Sequence, residues 1–260
     1  MPIVWITLIN KGYVRFTQNF LESMKRNKCI FPLIVYCLDN ESINGLRNYA
    51  NVTCISASPF IKGRMDKGLT VWKSIEYKRI VFSKLDAIKY TLDLPQYKDF
   101  SVGYIDTDII LFKDPTPIML KALSDNPDTL VISQCDEDKL ECSNMNKCPN
   151  ICSGVIVFRQ SFITKSLLNY TERDIITNLT DQHFLAVQFK KLNISYLTIH
   201  KNIFMNGSFP GVRMDGHVLK IPDEAVLLHY NYMIGSYKEH FMKKNSMWYI
   251  GYGFHPYDPK

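Results

Sequence analysis

The sequence lacks three things: an apolar stretch of the roughly 18 residues that would span a bilayer, a dense block of lysine and arginine, and a Cys-x-x-Cys pair. Each absence closes a class. The first leaves no candidate membrane span. The second argues against a nucleic-acid partner, which the modest formal net charge of +6 by itself would suit as well as an anionic small molecule or a phospholipid surface. The third removes the tight ligand spacing of common zinc sites. Met1 to Ile6 is too short for a secretory apolar core and has no basic flank before it. A soluble, cytoplasmic protein is therefore expected, with the sequons at Asn51, Asn169 and Asn193 unmodified. Seven cysteines, an odd number without a secretory signal, favour reduced thiols. Cys135, Cys142, Cys148 and Cys152 share an Asp/Asn/Lys-rich stretch. There a zinc knuckle and a disulfide-pinned loop are the alternatives to free thiols.

What is present is apolar material. With 46% hydrophobic and 13% aromatic residues over 260 positions, the chain can bury one large core or two intimately packed halves. Strand-like and helix-like runs alternate, the pattern of an α/β domain with a mostly parallel sheet flanked by helices. The expected strands are Ile3 to Ile9, Phe31 to Leu38, Val52 to Ser56, Val102 to Ile105, Ile109 to Phe112, Thr129 to Ser133, Val155 to Phe158, Ile194 to Thr198 and Ala225 to Leu228. Helices are expected over Tyr13 to Lys25, Ile43 to Tyr49, Val71 to Tyr90, from Pro115 onward, over Phe162 to Tyr170, and after a Thr180 cap to Lys191. Residues 62 to 70 read as a mobile loop, and 136 to 150 as a long one of the kind that is functional or disordered. No repeat, low-complexity tract or linker divides the chain.

Between two apolar runs stands Asp106-Thr107-Asp108. Two carboxylates there are costly, since each loses hydration and each repels the other. Either the pair lies solvated on an edge strand, or a divalent cation resolves both problems. Hard oxygen ligands at the end of a buried strand suit Mg²⁺ or Mn²⁺, which keep positions for a substrate phosphate. A further ligand and cationic groups stand near the C-terminus: His229, then Gly235 and Lys238. The imidazole can reach the metal, the ammonium a phosphate, and the glycine allows close backbone approach.

These residues, Asp106-Thr107-Asp108 followed by Leu111-Phe112-Lys113-Asp114-Pro115, His229-x-Asn231 and Gly235-x-x-Lys238, resemble the nucleotide-diphospho-sugar transferases of the GT-A (Rossmann-like) fold. The best match is the plant xylosyl- and arabinosyltransferase-like family, from the first strand to about Lys244. Thr7 with Asn10-Lys11-Gly12-Tyr13, Ser153-Gly154 and Asp181-Gln182 add to it by their order. Glycogenin-like transferases come second, because the spacing from His229 to Gly235 is longer here.

The resemblance implies a single domain with a nucleotide-binding half over about 1–112 and an acceptor-binding half over about 113–260. It implies transfer of a sugar from a nucleotide diphosphate, a UDP-sugar, to an acceptor hydroxyl on a glycan or other molecule. Asp106, Asp108 and His229 would hold the cation, and a nitrogen ligand tilts the choice from Mg²⁺ to Mn²⁺. Lys238 and Lys84 would neutralise charge on the leaving diphosphate. Thr7, Asn10 and Tyr13 would border base and ribose, Asp39 the uracil edge, and Thr107, Ser153, Gly154, Gln182 and Gly235 the rest of the donor. Asp181 leads as catalytic carboxylate, with Asp136 behind it. Retention is the implied outcome, the leaving phosphate taking the proton; inversion would make Asp181 the base. The Cys-rich segment departs from the family, so the acceptor is not inherited.

Two other readings remain open. A phosphatase would use the first Asp of the pair as nucleophile, but such pairs usually follow the first strand. A non-catalytic nucleotide-sugar-binding protein would keep the fold without turnover.

Overall fold

Strand β1, Ile3–Ile9, sets the layering. Successive side chains of a strand point to opposite faces, so Ile3, Trp5 and Ile9 join one buried cluster while Val4 and Ile6 join another. The computed structural model describes residues 1–50, 52–61, 68, 70–136, 150–207 and 220–251. After β1 come α1 (Val14–Arg26), β2 (Leu33–Cys37), α2 (Asn40–Leu46), β3 (Val52–Ser56), α3 (Ile75–Asp93), β4 (Ser101–Ile105), β5 (Ile109–Leu111) and α4 (Thr116–Asp125). They are followed by β6 (Val131–Cys135), β7 (Ile151–Phe158), α5 (Phe162–Leu167), α6 (Glu172–Thr177), α7 (Asp181–Lys191), β8 (Tyr196–Ile199), β9 (Phe204–Met205), β10 (Leu227–His229) and α8 (Ser236–Lys244).

Seven strands form the main sheet in the order β3-β2-β1-β4-β7-β6-β8, and β5-β10-β9 form a small second sheet. Helices cover both faces of the first. Phe20, Leu21 and Met24 of α1 and Met119 and Leu123 of α4 pack on one side. Val81, Phe82, Leu85 and Ile88 of α3, with Phe184, Leu185 and Phe189 of α7, pack on the other. Full burial of each such side chain is worth about 1.5–3 kcal/mol, which is why the central strands read as continuous apolar runs. A third cluster, including Phe16, Leu228, Tyr230 and Met242, fastens the small sheet to α1 and α8.

Strand direction decides where a site can form. β1 to β4 run parallel, so their carboxyl ends share one edge. β7 runs antiparallel to both β4 and β6 and brings its amino end there. Ligand sites in open α/β sheets gather outside the carboxyl ends of the strands.

A bulge sits at that edge. Ser133 pairs with Ile156 but Gln134 pairs with Cys152, so Ser153, Gly154 and Val155 of β7 are extra in the β6 ladder. Ser133 Oγ closes the gap by accepting from the Cys152 N–H at 3.0 Å. Such a bulge re-aims the side chains on either side of it.

Several expectations are corrected. The long basic helix starts at Ile75 rather than Val71, because Ser74 caps it by accepting from Tyr77 N and Lys73 takes a positive φ of 68°. The segment from Phe162 to Tyr170 ends its helix at Leu167, and α6 follows with its own capping box between Thr171 and Asp174. β2 starts at Leu33, β7 is longer than expected, and β10 lies at Leu227–His229. β9 and α8 carry no expectation from the sequence. Free thiols hold for Cys29, Cys37, Cys54 and Cys152, but Cys135 is disulfide-bonded. Disulfides persist in oxidising surroundings, so cysteine usage no longer argues for a reducing compartment. Cys142 and Cys148, most of the loop expected at 62–70 and most of the one at 136–150 lie outside the described residues. Among the described residues no helix is long and apolar enough to cross a membrane.

Candidate active site

The aspartate pair falls where β4 ends. Asp106 N–H bonds Gly154 O at 2.7 Å, one step past the last β4–β7 pair, Ile105 with Val155. Three residues later the chain enters β5, which pairs antiparallel with β10 and sets His229 opposite Ile109. The Tyr230 N–H bonds Asp108 O at 2.9 Å and closes the arrangement. His229 Nε2 thereby lies 3.2 Å from Asp108 Oδ1 and 3.7 Å from Asp106 Oδ2.

One ligand atom from each of Asp106, Asp108 and His229 can be chosen so that all lie within 4.8 Å of one another. Two carboxylate oxygens and an imidazole nitrogen fit Mn²⁺ or Mg²⁺. Gly154 supplies the space. A Cβ there would stand 2.5 Å from Asp106 Oδ2 and 2.3 Å from His229 Cε1, so only glycine leaves those side chains where they are.

Two lysines flank the cluster. Lys84 of α3 places Nζ 3.0 Å from Asp106 Oδ2 and 4.0 Å from Asp181 Oδ2, while Lys238 of α8 pairs with Asp108 Oδ2. Burial alone would lower both ammonium pKa values; the facing carboxylates outweigh it and hold both above the ordinary range. Asp108 shows the reverse. Burial pushes its carboxyl up, but Lys238 and His229 win and hold it well below the usual carboxylate range. The Tyr104 hydroxyl donates to Asp106 Oδ1 at 3.2 Å, and Lys238 Nζ lies 5.9 Å from the Tyr13 ring centre.

Asp181 opens α7 just after its Thr180 cap. It is 3% exposed, and its Oδ2 has no hydrogen-bond partner among the described residues. Burial raises its carboxyl against the pull of Lys84 and Ser153. Gln182 is anchored at both ends: Nε2 donates to Asp136 Oδ2 at 2.9 Å, and Oε1 accepts from Ser153 N at 3.3 Å. Asp136 also accepts from Asn231 Nδ2 at 2.8 Å and from Asn206 Nδ2 at 3.3 Å. Its carboxylate is spent on three amide donors. It stands at the end of β6 as a fixed post, whereas among the described residues the buried Asp181 Oδ2 has only Lys84 Nζ, 4.0 Å away, as a charged neighbour in an ion pair.

The structure thus brings together Asp106, Asp108, His229, Lys84, Lys238, Asp181, Gln182, Ser153 and Gly154, with Tyr13 against Lys238. Other expected residues sit along the same edge in different contacts. Thr7 is buried on β1, its hydroxyl without a hydrogen-bond partner among the described residues. Asn10 Nδ2 donates to Gly68 O at 2.8 Å. Asp39 caps α2 through Ser42 N at 2.7 Å and accepts from Lys11 N at 2.8 Å. Thr107 is buried between the aspartates. Gly235 precedes α8 with φ of 57° and ψ of −130°, a conformation that favours glycine. Sequence reasoning missed Tyr104 and Gln134; the only signal for the latter was a polar residue closing an apolar run.

Mostly parallel sheet, helices on both faces and this edge site define a GT-A type architecture, and solved structures agree. LgtC, a galactosyltransferase solved with donor and acceptor sugar analogs, superposes with TM-score 0.54 at 11% identity over 92% of this chain and 94% of its own. Mouse xyloside xylosyltransferase 1 in its apo form gives 0.55 at 13% identity, over 89% of this chain and 98% of its own. A glycosyltransferase involved in glycosylation of the major capsid of PBCV-1 gives 0.54 at 11%, over 93% and 99%. Likeness at such identity concerns the fold. No curated protein matches the sequence. The family comes from the sequence itself: the model of the nucleotide-diphospho-sugar transferases matches residues 30–242, and the chain belongs to that family. It is a glycosyltransferase.

Proposed function

We propose that the chain transfers a sugar from a UDP-sugar to a hydroxyl of a glycan or other acceptor, with retention and with a divalent cation, Mn²⁺ ahead of Mg²⁺. The observation that carries this is the convergence of Asp106, Asp108 and His229 with Lys84 and Lys238 at one strand edge. The cation, when bound, neutralises the donor's diphosphate. Without it the two lysines counter the aspartates; the diphosphate offers them new partners, and both stay ammonium ions in the pH range of catalysis. Lys238 would then meet the charge that grows on the departing phosphate, where electrostatic stabilisation is worth most.

The bond between the anomeric carbon and the β-phosphate oxygen breaks as the acceptor oxygen bonds to the same face. The acceptor proton passes to the leaving phosphate. Asp181 offers its buried Oδ2, which has no hydrogen-bond partner among the described residues, to a sugar hydroxyl, and the Gln182 amide, held by Asp136 and Ser153, lines the adjacent wall. Thr7, Asn10, Tyr13, Asp39 and Thr107 border the nucleoside along the edge, in a donor half over about 1–112; the acceptor half follows from about 113. The plant xylosyl- and arabinosyltransferase-like resemblance supports the retaining outcome.

The test is nucleotide-sugar hydrolysis with Mn²⁺, comparing wild type with Asp108→Ala. Metal-dependent turnover should vanish while the far-UV spectrum persists. Undiminished Mn²⁺-dependent hydrolysis in that variant would defeat the proposal.

A further inference from the structure

We infer that Gln134 is a positioning residue for the cation site, fixing the tautomer and ring orientation of His229 so that Nε2 presents a lone pair to the metal. The inference rests on the cation reading above and adds a residue to it. Gln134 lies on β6 at the bulge and is 0% exposed. All of its side-chain polar capacity is directed. Nε2 donates to Phe204 O at 3.0 Å and to Met205 O at 2.8 Å. Two backbone carbonyls admit only the amide nitrogen on that side, because an amide oxygen there would face two acceptors. The orientation of the amide follows, and Oε1 must be the atom 3.0 Å from His229 Nδ1.

An amide oxygen only accepts, so Nδ1 carries the proton. With a cation bound, Nε2 supplies its lone pair to it; with none, a ring nitrogen 3.2 Å from a carboxylate oxygen donates to that oxygen. Nε2 is the atom facing both aspartates, at 3.2 and 3.7 Å. Metal-ligating histidines generally give their second N–H to an outer partner, and loss of that partner weakens metal binding about 10- to 100-fold. The chain builds the partner from distant pieces: an amide at the end of β6, locked by the carbonyls of β9, which is itself paired with the strand that carries His229. Cys152 Sγ lies 3.6 Å from the same Nδ1. As a weak acceptor it is the competing explanation for any ordering of the ring.

The experiment compares wild type, Gln134→Met and Gln134→Glu, each checked by thermal melting. Free Mn²⁺ is titrated by electron paramagnetic resonance without nucleotide, and ring protonation is read from long-range ¹H–¹⁵N correlations of histidine-labelled protein with Mg²⁺. We expect Nδ1–H for His229 in wild type. We expect a loss of about 10- to 100-fold in Mn²⁺ affinity for Gln134→Met, with a mixed tautomer signal. Gln134→Glu, kept protonated by the Phe204 and Met205 carbonyls so that its hydroxyl donates to one of them and its other oxygen accepts from Nδ1–H, should recover part of that affinity; the mixed tautomer in Gln134→Met, whose side chain fills the same space, is the result a purely packing role would not give. Wild-type affinity in a folded Gln134→Met, or a His229 that carries its proton on Nε2 in Mg²⁺-bound wild type, overturns the inference while leaving the cation site standing. Absence of Mn²⁺ binding in wild type overturns both together.

Discussion

Gly154→Ala tests the geometry of the site with a single methyl group. The added Cβ would lie 2.3 Å from His229 Cε1 and 2.5 Å from Asp106 Oδ2. Non-bonded carbons settle at about 3.5–4.0 Å, so one partner must retreat by about 1 Å. Backbone strain plays no part, because Gly154 is not among the residues with positive φ. β7 is buried along its whole length, paired on both sides from Ile156 to Phe158, and held at Gly154 by the Asp106 N–H on its carbonyl oxygen. The displacement therefore falls on the side chains of His229 and Asp106. Misplacement by about 1 Å in a catalytic array costs on the order of 100-fold in rate, and overpacking a core costs about 1–3 kcal/mol. Turnover of nucleotide-sugar and Mn²⁺ affinity should both fall by about two orders of magnitude, while the melting temperature drops only several degrees. A Gly154→Ala variant that keeps wild-type Mn²⁺ affinity and turnover would refute the assignment of these side chains to one cation.

Other outcomes follow from the charges. Lys238→Met removes the ammonium that competes with a cation for Asp108, so Mn²⁺ affinity without nucleotide should hold or tighten while turnover falls about 100-fold; a loss of Mn²⁺ binding like that of Asp108→Ala would contradict this. Asp181→Asn should raise KM for the donor and spare the proton-transfer limb of the pH profile; loss of only that limb would make Asp181 a base and the reaction inverting. The Asp108 carboxyl is held below its ordinary 3.8 in the fold, so the folded state binds fewer protons than the unfolded chain in acid. The stability it contributes is full above the unfolded value and is lost as pH falls towards the folded one. Asp181 and Asp136, both raised by burial, act with the opposite sign: their contribution is present at low pH and lost as pH rises through their folded values. Urea midpoints between about pH 3 and pH 6 should fall less steeply towards acid in Asp108→Asn than in wild type; parallel curves would count against the Asp108 assignment.

Much was legible in the chain because local physics leaves local marks. The strands are apolar runs since both faces of the sheet are covered, and Thr180 announced α7 because an unpaired helix N-terminus demands an acceptor. Asp106 and Asp108 stood out because charge within an apolar run needs compensation. Boundaries were less secure where a cap lies inside a polar stretch: Ser74 moved the start of α3, and Thr171 opened a helix of its own.

Sequence alone determined the layered α/β architecture, the aspartate pair and its partners His229 and Lys238, for these depend on burial periodicity and on rare charges in apolar surroundings. Tertiary structure decided the rest. Pairing of β5 with β10 put the imidazole beside the aspartates, the β6–β7 bulge put Gly154 and Gln134 around it, and three amides bound the Asp136 carboxylate while the buried Asp181 Oδ2 kept no hydrogen-bond partner among the described residues. Those assignments depend on strand register and on hydrogen bonds between residues far apart in the chain, and neither leaves a periodic trace in the order of amino acids.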